Sequence, residues 1–220
     1  MYLYGIIGHP LGHSLSPVLH NWMLARAGHP GIFEAWPTPP EDLAKFVKRV
    51  RSLPIHGLAV TIPHKTAVLP LLDGLTAEAR AVGAVNTLFW REEALWGHNT
   101  DVTGFLAPLR TFCAKNGTPR SALVLGAGGA ANAVLYGLQS LGIKDIRLAA
   151  RNERSGEGLA ARFGVSFTPW EKRAAAPAQL VVNATPLGMA GSAGAGESPL
   201  SDAEFSALNE GFAPGGCLAY

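Results

Sequence analysis

The chain has 220 residues, of which 48% are hydrophobic and 15% charged, and its net charge is +2. So apolar a chain is not a disordered or solvating one, and so small a charge does not mark an electrostatic nucleic-acid binder. No apolar run approaches the ~20 residues that span a bilayer. Cys113 and Cys217 have no metal-ligand spacing and make no disulfide framework, so they read as idle thiols. Residues 1–5 lack the basic and apolar segments of a signal peptide, so a cytoplasmic protein is expected. Charge is balanced over residues 1–101, and the excess lies in residues 102–220.

In chain order, residues 2–8 read as a buried strand, followed by a loop rich in Gly, His and Ser. Ser16-Pro17 reads as an N-cap with proline at the first helical position. The helix is expected over 18–27, with Val18, Leu19, Trp22, Met23 and Arg26 near one face and Gly28 as its stop. A second helix is expected over 41–50. Residues 57–62 read as a strand stopped by Pro63, with short helices over 67–72 and 76–81. Residues 85–90 and 94–97 read as two strands around the turn 91–93, and a helix begins near Val102. From Ser121 the pattern is strand, turn and helix: 123–125, 126–131 and 131–141. A strand at 146–150, a helix at 156–163 and strands at 165–167 and 180–183 continue the alternation, and 189–199 reads as a mobile loop. Alternating strands and helices with short connections predict an α/β fold with parallel sheets covered on both faces.

Gly126, Gly128 and Ala131 fit a G-x-G-x-x-A fingerprint between a strand and a helix. Gly126 permits a tight turn, Gly128 lets backbone approach a pyrophosphate, and Ala131 lets the helix pack on the sheet. The N–H groups of residues 126–130, at a helix N-terminus, then face phosphate. This makes Gly126, Ala127, Gly128, Gly129 and Ala130 candidate dinucleotide ligands. The next strand ends in Arg151-Asn152-Glu153-Arg154, where an NAD site usually carries an acid for the ribose hydroxyl. Arg151 and Arg154 can bind a 2′-phosphate, which points to NADP. The plainer reading is a solvated arginine pair.

Three clusters fill the first half. They are Gly8-His9-Pro10-Leu11-Gly12-His13-Ser14-Leu15-Ser16-Pro17 with His20-Asn21, then Val60-Thr61-Ile62-Pro63-His64-Lys65, then Gly83-Ala84-Val85-Asn86-Thr87 with Gly97-His98-Asn99-Thr100-Asp101. With the glycine turn and Val182-Asn183-Ala184-Thr185-Pro186-Leu187-Gly188-Met189, they form an ordered set that resembles shikimate dehydrogenase nearly from end to end. The resemblance implies an N-terminal α/β substrate-binding domain over 1–101. It implies a C-terminal Rossmann-type doubly wound parallel sheet over 102–220 that binds NADP, with the active site in the cleft between them. It implies reversible NADPH-dependent reduction of 3-dehydroshikimate to shikimate, on the route to chorismate and the aromatic amino acids. Lys65 and Asp101 match the family's catalytic pair. Ser14 and Ser16 match its substrate-carboxylate ligands, Thr61 and Asn86 its ring-hydroxyl ligands, and Thr185 its cofactor cleft. The family needs no metal, and the histidines lack ligand spacing.

Singly, each residue has a plainer role: Ser16 or Asp101 capping a helix, Asn86 holding a turn, Lys65 at the surface. The sequence also departs from the family pattern. Ala59 stands where the family has a substrate-binding asparagine, a loss on the order of 0.5–1.5 kcal/mol. Asn132 occupies a position often basic in the family. The family's D-x-x-Y segment, substrate glutamine and returning terminal helix are not in these 220 residues. The nucleotide domain is therefore expected to be incomplete at its C-terminus, with apolar surface and a sheet edge uncovered and turnover poor. Two alternatives stand beside the leading reading: quinate/shikimate dehydrogenase, and a catalytically weak NADP- or shikimate-binding regulatory protein.

Overall fold

A computed structural model describes residues 1–189, 194–210 and 218–219. Of the loop expected over 189–199, residues 190–193 lie outside the described residues, as does Cys217. The chain forms two compact units, Met1–Thr100 and Asp101–Tyr220. Asp101, read in the sequence as closing the first domain, thus opens the second unit.

The first unit begins with β1 (Tyr2–Gly8), α1 (Ser16–Arg26), β2 (Gly31–Pro37) and α2 (Leu43–Val50). It continues with β3 (Ile55–Val60), α3 (His64–Ala67), β4 (Gly74–Leu75), α4 (Ala77–Val82), β5 (Thr87–Arg91) and β6 (Ala94–His98). Its sheet runs β2-β1-β3-β5-β6-β4. β1 pairs in parallel with β2 and β3, while β5 is antiparallel to both β3 and β6. The sheet is therefore mixed, not parallel as the alternation suggested. The tight turn at Glu92, with φ +57°, makes β5 and β6 a hairpin, and a hairpin can only be antiparallel. Ile7, Leu58, Val60 and Leu88 pack on one face with Leu43, Val47 and Val50 of α2. Ile6, Leu11 and Phe33 gather on the other with Tyr4, Leu24 and Ala59.

α1 leaves the face of Val18, Leu19, Trp22 and Met23 in solvent. Val18, Leu19, Trp22 and Met23 are 71%, 54%, 59% and 49% exposed, and the helix has no buried residue. Two contacts turn it. The Asn21 side chain pairs with the Phe33 backbone, donating at 2.8 Å and accepting at 2.9 Å, and the His20 ring stacks on Phe33 at 4.2 Å. Ser16 is not the cap either. Leu15 holds that position, Ser16 is already helical, and the Ser16 N–H donates to Ser14 Oγ at 3.3 Å.

The second unit contains α5 (Asp101–Asn116), β7 (Ser121–Leu125), α6 (Gly129–Ser140), β8 (Asp145–Ala150), α7 (Glu153–Phe163) and β9 (Ser166–Pro169). β10 (Leu180–Asn183), α8 (Asp202–Leu208) and β11 (Leu218–Ala219) complete it. Its sheet, ordered β11-β10-β7-β8-β9, is parallel throughout. β7 is wholly buried, as a central parallel strand must be. Leu123, Leu125, Ala149 and Val181 pack with Leu208 of α8. The chain runs from β7 through β8 to β9, then returns to place β10 on the other side of β7. The strand order thus reverses at the C-terminal ends of β7 and β10, where open α/β sheets bind ligands.

Candidate active site

In the first unit, the loops after β1 and β3 carry most of the expected substrate residues. They are pinned together by backbone bonds: His9 N–H to Ile62 O at 2.8 Å and Thr61 N–H to Ile7 O at 2.9 Å. A Cβ at Gly8 would run into Thr61 Cγ2 and lie 2.8 Å from Ile62 O, so only glycine permits this approach. Ser14 lies on the first loop and Ser16 at the start of α1, both half-buried, and Thr61 lies on the second loop. β3 ends at Val60, so Thr61 leaves the strand rather than sitting within it. Lys65 is half-buried on α3, a helix that starts earlier than the sequence suggested. The Lys65 carbonyl accepts from Val85 N–H at 2.7 Å, which ties its turn to the Asn86 segment.

Asn86 ties two motifs together by its side chain. Its Nδ2 donates to Thr100 Oγ1 at 2.8 Å, and its Oδ1 accepts from Thr100 N–H and Thr87 Oγ1, both at 2.9 Å. It thereby binds the Gly83–Thr87 and Gly97–Thr100 motifs into one structure. Asn86 and Thr100 also line a groove of about 500 Å³ with Tyr4, His20, Phe33 and Ala59. Ala59, where the family asparagine is absent, is thus a wall of this groove.

In the second unit, Gly126 follows β7 with φ +106°, and a Cβ there would lie 2.8 Å from Ala184 O. Its N–H donates to Ala149 O at 2.8 Å. Ala127 and Gly128 make the turn, and Gly129 and Ala130 begin α6. Ala131 is fully buried. A Cβ at Gly128 would meet nothing, and the first turn of α6 carries no acid. Open space before a helix N-terminus free of carboxylates fits a dinucleotide pyrophosphate. Arg151 and Arg154 are exposed just beyond β8, and Asn152 caps α7 by accepting from Ser155 N–H at 2.9 Å. Thr185 donates from both its N–H and Oγ1 to Asn183 Oδ1, at 2.9 and 2.6 Å, in the turn facing Gly126.

Two contacts escaped the sequence reading. Asn132 is buried on α6, where its Nδ2 donates to Gly128 O and its Oδ1 accepts from Arg162 Nη1, each at 2.9 Å. A guanidinium thus comes to the start of α6 from α7, although position 132 itself is not basic. His64 is buried beside Lys65. Its Nε2 lies 2.6 Å from Thr38 O, and because Arg162 and Thr38 lie 30 and 26 residues from their partners, neither contact has a local sequence signal. Among the described residues, no group of three or more His, Cys, Asp or Glu is placed to hold a metal. No helix among them is long and apolar enough to cross a membrane.

The signature of the shikimate dehydrogenase substrate binding domain matches residues 6–88. A protein named shikimate dehydrogenase (NADP(+)) from Oleidesulfovibrio alaskensis is 54% identical over 212 residues, covering 96% of this chain and 74% of that protein. The chain belongs to the shikimate dehydrogenase family. Solved structures agree. Shikimate 5-dehydrogenase from Thermus thermophilus, in complex with NADP(H) and shikimate, is 41% identical with a TM-score of 0.73. That match covers 86% of this chain and 70% of the other. Shikimate dehydrogenase 1 from Peptoclostridium difficile is 29% identical with a TM-score of 0.84, covering 94% of this chain and 74% of that one. The two α/β units, with a mixed first sheet and a parallel second one, are this family's substrate-binding and Rossmann-like architecture.

Proposed function

We propose that this chain is an NADP-dependent shikimate dehydrogenase, which reversibly reduces 3-dehydroshikimate to shikimate in the cytoplasm, on the route to aromatic amino acids. The observation that carries the reading is the 54% identity to a protein of that name, extending over both units. NADPH, when bound, supplies the hydride. This chain's residues then have four tasks. The turn Gly126–Ala130 and the N-terminus of α6 hold the pyrophosphate, with Thr185 beside the turn. Arg151 and Arg154 bind the 2′-phosphate, with Asn152 fixing the helix start between them. Ser14 and Ser16 bind the substrate carboxylate, and Thr61 and Asn86 its ring hydroxyls. Lys65 stabilises the negative charge that develops on the carbonyl oxygen and passes it a proton, with Asp101 as the carboxylate of the catalytic pair.

The cofactor assignment is tested by titrating NADPH and NADH into the wild type and an Arg151→Ser/Arg154→Ser variant. Loss of two charge-assisted contacts should weaken NADPH binding by roughly tenfold or more and leave NADH binding nearly unchanged. Equal loss for both cofactors would make the arginines general surface charges and overturn the NADP reading.

A further inference from the structure

We propose that His64 is a positioning residue for Lys65, holding the short helix that carries the lysine by a buried bond to the Thr38 carbonyl. The inference rests on the reading of Lys65 as a substrate-site group. α3 has four residues and no side-chain cap, so it cannot hold itself in place and takes its position from tertiary bonds. One is a backbone bond, from Val85 N–H to Lys65 O at 2.7 Å, beside the local turn bond from His64 N–H to Thr61 O at 2.8 Å. Another is the His64 side chain, whose Nε2 lies 2.6 Å from Thr38 O. A carbonyl only accepts, so Nε2 carries the proton.

Thr38 is a rigid anchor. It is 2% exposed, its N–H donates to Gly8 O at 2.9 Å, and its Oγ1 donates to Trp36 O at 2.9 Å. Gly8 ends β1 and leads into the loop that carries Ser14 and runs to Ser16 at the start of α1. One buried chain of bonds therefore runs from Gly8 through Thr38 to His64, the residue before Lys65. His64 itself is 1% exposed, and its Nδ1 has no hydrogen-bond partner among the described residues. Burying a ring nitrogen without a partner costs stability, and an apolar side chain would fill the same space without that cost. The one side-chain bond the ring makes among the described residues joins the lysine's helix to Thr38.

The test needs no turnover. Lys65 acetylation by acetic anhydride is followed by mass spectrometry with and without shikimate, with Lys45 and Lys48 as internal references. At ten times its dissociation constant, shikimate should slow acetylation of wild-type Lys65 by about tenfold. At matched occupancy, folded His64→Phe and His64→Met variants should retain less than about twofold protection, while His64→Gln, whose amide N–H can reach Thr38 O, should keep most of it. No protection in the wild type overturns the role of Lys65 and this inference together. Wild-type-like protection in the apolar variants overturns the inference alone. So does failure of both apolar variants to fold while His64→Gln folds, because the bond would then serve the fold and not the lysine.

Discussion

Gly126 shows how much one residue can decide. Its φ of +106° lies where side chains are strained, and Ala184 O leaves no room for a Cβ. Gly126→Ala should destabilise the protein by about 1–3 kcal/mol in denaturant titrations and weaken NADPH binding with it. Unchanged stability would mean that the turn relaxes without cost. This glycine was legible in the sequence because its constraint is local. Lys65, Asp101 and the two serines were marked only as members of ordered motifs, through the family resemblance. His64 was quoted within a motif but given no task, since Thr38 comes near only when β1, β2 and β3 align.

At the scale of elements, α8 and α1 make opposite cases. α8 was missed, although Ser201 and Glu204 form a capping box visible as S-x-x-E, with both reciprocal bonds present. The Ser201 N–H bonded to Glu204, helped by the Ser201 hydroxyl and the Arg173 guanidinium, holds the Glu204 carboxyl below its usual range against the opposing effect of burial. A carboxylate depressed on folding stabilises above its unfolded pKa of about 4.3, and that contribution is lost as pH falls through the lower folded value. Glu204→Ala should therefore cost about 1 kcal/mol at pH 7. The gap from wild type should narrow on acidification below about pH 4, as read from melting curves across pH. A gap constant with pH would assign the loss to packing. Asp73 follows the same logic, held low first by its hydrogen bond from Arg51 and then by the Leu95 N–H. α1, by contrast, was placed correctly along the chain, but which of its faces packs on the sheet was not legible. The Asn21 pairing with β2 and the stacking of His20 on Phe33 fix it. β2 was not assigned at all, because its pairing with β1 comes from across the sheet.

For the whole molecule, the two units divide the proposed chemistry between them. Hydrogen exchange should separate the two ligands. NADPH should protect amides around 126–131, 151–155 and 183–188, and shikimate those around 8–16, 61–65 and 86–100. NADPH protection confined to the first unit would overturn the division of roles. Among the described residues, exposed large apolar side chains gather on α1, at Val18, Leu19, Trp22 and Met23. The second sheet's β11 is a two-residue strand on β10.

By itself the sequence determined the α/β character, the glycine turn, the arginines beyond β8 and the ordered motifs that carry the family resemblance. These depend on local backbone demands and on spacing along the chain, which a sequence states directly. Only the tertiary structure decided the antiparallel pairing of β5 with β3, the packed face of α1, the reach of Arg162 to Asn132 and the bond from His64 to Thr38. Each of these joins groups far apart in the chain, and such a pairing is fixed by which strands lie side by side, not by the residues on either side of it.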